Sequence, residues 1–377
     1  MATKTTISNP FSITSYLGAE YFCDRENETR ELAEALLNRR NVTLISPRRI
    51  GKTGLIQHLF HATNPKEVNC IYVDLFSTSN LNDFTKKLVE AVLTKQITPF
   101  SERVWKEVSR VFGSLRPVFS PDPLTGQPKC TIDVQPQREE WTLQQILSYM
   151  ESAPKPCYVA LDEFQAIADY TDCKMEALLR GYIQQLNNVR FIFAGSKKHV
   201  MMQMFTQANR PFFQSTQIMH IDVIDEGKYY EFAARHLVAH QQHLNEADFH
   251  TLYTQVEGYT GYVQAFLNRL YQNGTPQIDS ATILAVQNQL LLEMTPSYQM
   301  YGRLLTDKQM QILRAIGQEG EVKEPGSNAF LQKYQLGAYS TVRSAITVLV
   351  DKELLYQRDD GSYVVYDKFL ALWLRRG

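Results

Sequence analysis

Hydrophobic and polar positions follow two different rhythms along this chain, and the change falls near Asp225. Before it, short β-branched or aromatic runs recur at Val42–Ile45, 69–75, 157–161, 188–194 and 217–223, and runs of that length predict buried strands. Between them, apolar residues three and four apart predict helices. The first starts at Asp24 as N-cap and carries Leu32, Leu36 and Leu37; the others cover 52–62, 82–97, 101–113, 142–153 and 174–187. Strands alternating with helices imply an α/β core with a mostly parallel sheet. The stretch 117–134 differs: two alternating runs flank Pro121-Asp-Pro-Leu-Thr-Gly126, which predicts a hairpin excursion.

Past Asp225 the strand signals vanish. Helical periodicity runs through 226–243, 246–257, 260–272 and about 279–294, an all-α domain. From Gly302 the pattern changes again, with helices over 307–316 (capped by Thr306), 328–334 and 340–352. Leu354–Tyr356 and Ser362–Tyr366 then flank Asp359-Asp-Gly361, a hairpin turn. Three helices and a hairpin make a winged helix-turn-helix, closed by a short helix over 368–376. The expected division is a polar leader on the surface over 1–19, an α/β domain over 20–224, a helical lid domain over 225–301 and a winged helix over 302–377.

The candidate chemistry lies at strand ends. After Val42–Ile45 come Ser46-Pro47-Arg48-Arg49-Ile50-Gly51-Lys52-Thr53-Gly54 and a helical pattern. Strand, turn, Gly-Lys-Thr and helix is the layout of a phosphate-binding loop, the Walker A pattern. Backbone N–H groups at a helix start attract phosphate oxygens, and Gly51 lets the backbone approach closely. Lys52 would reach the β- and γ-phosphates, and the Thr53 hydroxyl would ligate Mg²⁺. Ser46 replaces the loop's usual first glycine. Arg48 and Arg49 have two readings, phosphate contact or a solvated salt bridge. The strand 157–161 delivers Asp162 and Glu163: Asp162 as a Walker B carboxylate facing Mg²⁺, Glu163 orienting an attacking water. Ser196 follows another strand, either as a γ-phosphate sensor or as a plain helix cap.

Composition narrows the class. The chain has 377 residues, 44% hydrophobic and 21% charged, with formal net charge −1. Near-neutrality argues against a general nucleic-acid or membrane-surface binder, and no apolar run approaches a membrane span. The five cysteines form no Cys-x-x-Cys pair, and the first residues lack the apolar centre of a signal peptide. A cytoplasmic protein is expected. His236, His240 and His243 share one predicted helical face without the Glu of His-Glu-x-x-His, so a solvated face is expected there. Met201, Met202, Met204 and Phe205 are expected in core or interface.

The ordered set Phe22-x-Asp-Arg25-x-x-Glu28, Ser46-Pro-Arg-Arg-Ile-Gly-Lys-Thr53, Leu161-Asp-Glu-Phe164 and Gly195-Ser196 resembles the archaeal-type ATPases. These sit with the signal-transducing, NACHT-related (STAND) branch of the AAA+-like P-loop superfamily. The resemblance spans about Tyr21 to Arg376. It implies ATP rather than GTP, with Phe22 to Arg25 lining the adenine side, and a hairpin inserted before the acid pair. Four departures stand out. Asp24 and Ser46 replace glycines, Ser215 in Pro211-Phe-Phe-Gln-Ser215 stands where the family often has an arginine, and Gly261-Tyr-Val263 replaces Gly-x-Pro.

The expectation is an ATP- and Mg²⁺-binding protein, a slow ATPase acting as a nucleotide-controlled switch with a protein partner or a second copy of itself. The competing expectation is a DNA-binding transcription regulator or scaffold that holds ATP with little turnover. Arg343 stands almost alone among cations on the helix 340–352 before Lys352, which gives DNA contact little support.

Overall fold

In the computed structural model, which describes residues 9–96, 115–121 and 128–376, the chain divides into two compact units. The unit Gly18–Asp222 carries β1 (Val42–Ile45), β2 (Asn69–Asp74), a hairpin of β3 (Leu115–Pro121) and β4 (Pro128–Val134), then β5 (Cys157–Asp162), β6 (Val189–Gly195) and β7 (Gln217–His220). Five of these form one parallel sheet in the order β2-β5-β6-β1-β7. Every residue of β1, β5 and β6 is buried, as a sheet covered on both faces requires. Alternation divides them. Ile71, Val73, Val159, Leu161, Phe191 and Phe193 share one core with the helices Leu81–Gln96, Glu139–Glu151 and Met175–Ile183. Leu44, Ala160, Ile192 and Ala194 are equally buried on the opposite face, and the helices Glu26–Leu37 and Lys52–Ala62 pack together beside β1.

β3 and β4 pair antiparallel, the hairpin the alternation predicts. The helix expected over 101–113 and residues 122–126 of the expected turn lie outside the described residues. Asp24 does not cap the first helix. Arg25 occupies the N-cap position in the left-handed conformation, with no side-chain cap. The Met201–Phe205 stripe is core: Met201, Met204 and Phe205 are fully buried.

The second unit joins residues of Met1–Leu17 to Val223–Gly377. Pro10 and Phe11 depart from the leader expected on the surface, whereas residues 12–19 are half-buried or exposed. Phe11 is fully buried, edge-on to Phe232, His236 and Tyr271 with ring centroids 6.1, 6.0 and 5.9 Å away. Asn9 and Asn268 exchange side chain-to-backbone bonds that pin it, Asn9 Nδ2 to the Asn268 carbonyl at 2.9 Å and Asn268 Nδ2 to the Phe11 carbonyl at 2.7 Å. Strands do not vanish here either. The helix expected to reach 243 stops at Val238, and Gln241 turns left-handed at φ 60°. The buried Gln242 amide then donates to the Leu270 carbonyl at 2.8 Å, and β8 (His243–Leu244) pairs in parallel with β9 (Gln277–Ile278). His236, His240 and His243 therefore share no helical face, and His236 packs on Phe11 and Phe232. Among the described residues, no cluster of His, Cys, Asp and Glu is arranged to hold a metal ion.

The helix expected to end near 294 runs from Ser280 to Leu304 with Pro296 inside it, and so carries the chain across the expected 301/302 boundary. Proline removes one helical hydrogen bond, and the carbonyl it frees belongs to the exposed Leu292. The helices Asp307–Glu319, Asn328–Lys333 and Tyr339–Asp351 follow, then the hairpin of β10 (Leu355–Gln357) and β11 (Tyr363–Val365) and the helix Lys368–Leu374. Lys368 is buried, donates to Glu257 Oε2 at 2.9 Å, and lies 4.8 Å from the Tyr259 ring centre, while Phe369 packs edge-on to Tyr262 and Phe266. Winged helix and helical region thus share a core.

Replacing Phe11 with Ala is expected to cost about 3–5 kcal/mol of this unit's stability. Urea unfolding read by Trp373 fluorescence, with Trp105 and Trp141 changed to Phe, measures it. A loss below about 1 kcal/mol would mean that the segment adds little to the core.

Candidate functional site

β1 ends at Ile45, and the chain turns through Ser46 to Ile50 into the helix Lys52–Ala62. Two residues make the turn possible: Gly51 at φ 107°, where a side chain would be strained, and Arg49 at φ 65°. Lys52 is buried, and its ammonium has three acceptors: the Ser46 carbonyl at 2.9 Å, the Pro47 carbonyl at 3.0 Å and Ser46 Oγ at 3.3 Å. Burial pushes the Lys52 ammonium down to about 8, against the pull of Glu163 and Asp162 and with a further push from Arg48.

β6 lies between β1 and β5, so the ends of all three strands meet at one edge: Ile45 pairs with Gly195, and Leu161 with Phe193. Asp162 is buried at the end of β5. Its Oδ2 accepts from Thr53 Oγ1 at 2.6 Å and from the Tyr72 hydroxyl at 2.7 Å, while Oδ1 accepts from the Glu163 amide at 3.0 Å. Burial raises the Asp162 carboxyl from its ordinary value, and the Thr53 and Tyr72 bonds work against that rise.

Glu163 is left-handed at φ 53° and opens a 3₁₀ turn over Phe164–Asp169. Such a conformation costs a non-glycine residue about 1 kcal/mol or more and persists only where neighbours fix it. Phe164 supplies that anchor, fully buried with ring centroids 4.6 Å from Phe193 and 5.5 Å from Phe212. Glu163 Oε2 accepts from Ser196 Oγ at 2.7 Å and from Gln165 Nε2, and Gln165 Oε1 accepts from the Ser196 amide at 3.2 Å. Glycine at 195 leaves room for the Gln165 amide as it stands: a Cβ there would come within 2.5 Å of Gln165 Oε1 and of Met201. Arg48 Nε donates to Ser196 Oγ at 3.2 Å, so Ser196 stands between the loop and Glu163.

Phe22 and Arg25 stand apart from these carboxylates. Phe22 stacks on His58, centroids 4.3 Å apart and planes 14° from parallel, and a Cβ at Gly54 would press on its ring at 3.3 Å. Arg25 is buried. It donates to Glu28 Oε1 at 2.7 Å, to the Ile50 carbonyl at 3.3 Å and to the Asp222 carbonyl, tying the loop to the end of the unit. Arg49 is exposed.

Tyr72, Gln165 and His58 were not singled out from the sequence. Gln165 carries a signal, a polar residue two places after Glu163 in an apolar stretch. Tyr72 carries none, because nothing in the sequence says that β2 lies beside β5. The set suits Mg²⁺: hard oxygen donors, one carboxylate and a hydroxyl, beside a lysine and backbone amides for phosphate.

Residues 296–376 match the family model described as "Probable winged helix domain". No curated protein matches the chain. Among solved structures, the chain is similar to a Walker-type ATPase of Pyrococcus abyssi, at TM-score 0.65 and 18% identity over 97% of this chain and 99% of that one. It is also similar to the Aeropyrum pernix ORC2 protein in its ADPNP–ADP complexes, at TM-score 0.58 and 14% identity over 97% and 96% of the two chains. The A. pernix ORC1 protein in complex with DNA gives TM-score 0.53 and 12% identity over 97% and 96%. At these identities the likeness is one of fold: a parallel-sheet α/β core with flanking helices, a helical region and a C-terminal winged helix. Among the described residues, no helix is long and apolar enough to cross a membrane.

Proposed function

We propose that this protein binds Mg-ATP at the edge where β1, β5 and β6 end, hydrolyses it slowly, and acts as a nucleotide-controlled switch in a protein assembly. One observation carries the reading: the Thr53 hydroxyl bonds to Asp162 Oδ2 at 2.6 Å, with the Lys52 ammonium buried in the same loop. A hydroxyl and a carboxylate held together at the start of a glycine-led helix suit a metal–phosphate pair.

In this reading Lys52 leaves the loop carbonyls for the phosphates, and the loop amides wrap the phosphate oxygens. Thr53 and Asp162 would hold Mg²⁺, which when bound would neutralise phosphate charge. Glu163 orients the attacking water, and Ser196 and Gln165 fix the carboxylate that does so. Phe22 and His58 offer an aromatic flank for a base, and ATP is preferred because no Asn-Lys-x-Asp motif for guanine occurs in the sequence. The fold shared with the P. abyssi Walker-type ATPase supports the reading.

Slow turnover is inferred from Ser215, which stands where the family this chain resembles often carries an arginine. The Ser215 hydroxyl donates to the Phe212 carbonyl at 2.7 Å, and neighbouring Arg210 is engaged by Glu176. An added cation would then come from a partner or a second copy. A DNA-binding regulator is the weaker reading, because the exposed side of the helix Tyr339–Asp351 presents Tyr339, Ser340, Thr341, Ser344 and Thr347 with Arg343 as its cation.

Two measurements test the proposal. Glu163→Gln is expected to keep Mg-ATP binding within a few-fold and to lose phosphate release by roughly a hundredfold or more; equal turnover in parent and variant would remove Glu163 from the chemistry. The second is a pH profile. An anionic ligand favours the charged Lys52, whose free-state value is about 8. Affinity should therefore be flat below that pH and fall by up to about tenfold per unit above it. Lys52→Arg, charged throughout, should stay flat between about pH 7.5 and 9.5, and a flat profile in the parent as well would contradict the buried-ammonium account.

A further inference from the structure

Tyr72 lies outside every pattern by which the loop and the acid pair were found, yet its hydroxyl reaches the carboxylate on which the proposed metal site depends. β2 is the edge strand beside β5, with Tyr72 opposite Ala160 and Asp74 opposite Asp162 in register. Side chains two apart share a face, so Tyr72, Asp74, Ala160 and Asp162 lie on one side of the sheet. The Tyr72 ring extends from the Ala160 row to the next, and its hydroxyl donates to Asp162 Oδ2 at 2.7 Å. That oxygen also accepts from Thr53, and Oδ1 accepts from the Glu163 amide. Three donors from three elements therefore fix a single carboxylate.

Tyr72 gives its proton to Asp162, and its oxygen also interacts with the Thr53 hydroxyl. Burial first, then the neighbouring Asp162 charge, hold its phenolic proton well above the ordinary tyrosine range. A carboxylate facing a hard cation keeps its orientation through the groups hydrogen-bonded behind it, and losing such a group typically weakens metal affinity by about 10–100-fold. Thr53 does not serve alone, because its hydroxyl oxygen also faces the metal in the proposed site.

We propose that Tyr72 is a positioning residue that sets this protein's Mg²⁺ affinity by holding the Asp162 carboxylate in its metal-facing orientation. The inference rests on the ATP-binding reading above.

The test uses the full chain and its Tyr72→Phe variant, which keeps the ring and loses only the hydroxyl. ATP affinity is measured by calorimetry in EDTA and then across a series of free Mg²⁺ concentrations. The expected result is equal affinity in EDTA, within about twofold, and a Mg²⁺ midpoint raised about tenfold in the variant. An unchanged midpoint overturns the inference while leaving the ATP reading intact. Equal weakening with and without Mg²⁺ also overturns it, since a merely structural tyrosine would do that. If the parent shows no saturable ATP binding under either condition, the ATP reading fails and the inference falls with it.

Discussion

The Thr53 hydroxyl reaches from the first turn of the Lys52–Ala62 helix to Oδ2 of Asp162 at 2.6 Å, and β6 separates the two strands that this bond joins. Everything at the sheet edge depends on the span being closed. The loop must leave β1 at one point and re-enter a helix at another, and Gly51 in the left-handed region sets where that helix starts. β5 must end where Asp162 faces back across β6, and the Phe164 cluster fixes that end by burying the residue after the acid pair. Ser196, at the end of the intervening strand, then falls between Arg48 and Glu163 with no further adjustment.

Two opposed costs meet at Lys52. Its loop wraps the ammonium in its own oxygens, which satisfies the hydrogen bonds but leaves the charge poorly solvated. Ser46 adds an acceptor that the usual glycine would lack. A phosphate offers that charge a far stronger partner, so a lysine disfavoured by burial is one that a phosphate stabilises most. The buried Asp162 carboxyl is the complementary case, raised by desolvation in a place where a cation would relieve it. On this account the site is strained in charge more than in shape.

The α/β core was legible because β1, β5 and β6 are buried throughout and read as nearly unbroken apolar runs, each followed by or ending in a chemically distinctive residue. The winged helix was legible from Thr306, which forms a full capping box with Gln309, and from the Asp-Asp-Gly turn. Three features were not. Phe11 lies in a polar stretch, and a single aromatic has no periodicity to betray burial. The β8–β9 pair is two residues long on each side, shorter than any alternation can show. Pro296 suggests a helix end, but the helix continues because the freed carbonyl sits at an exposed position. For the site, the sequence named residues on each side of the Thr53–Asp162 bond. It did not name Tyr72 or Gln165, which act through sheet order and a close approach at Gly195, both properties of the folded chain. Nor did the sequence show that Arg25 buttresses the loop from within, through the Ile50 carbonyl.

The central claim is that the loop Ser46–Thr53 and Asp162 make one phosphate and metal site. Calorimetric titration of Mg-ATP into the parent and into Lys52→Ala, with thermal unfolding confirming that both are folded, tests it most directly. The account predicts saturable binding by the parent and a loss of roughly ten- to hundredfold or more without the Lys52 ammonium. Equal affinity in the two proteins would contradict it.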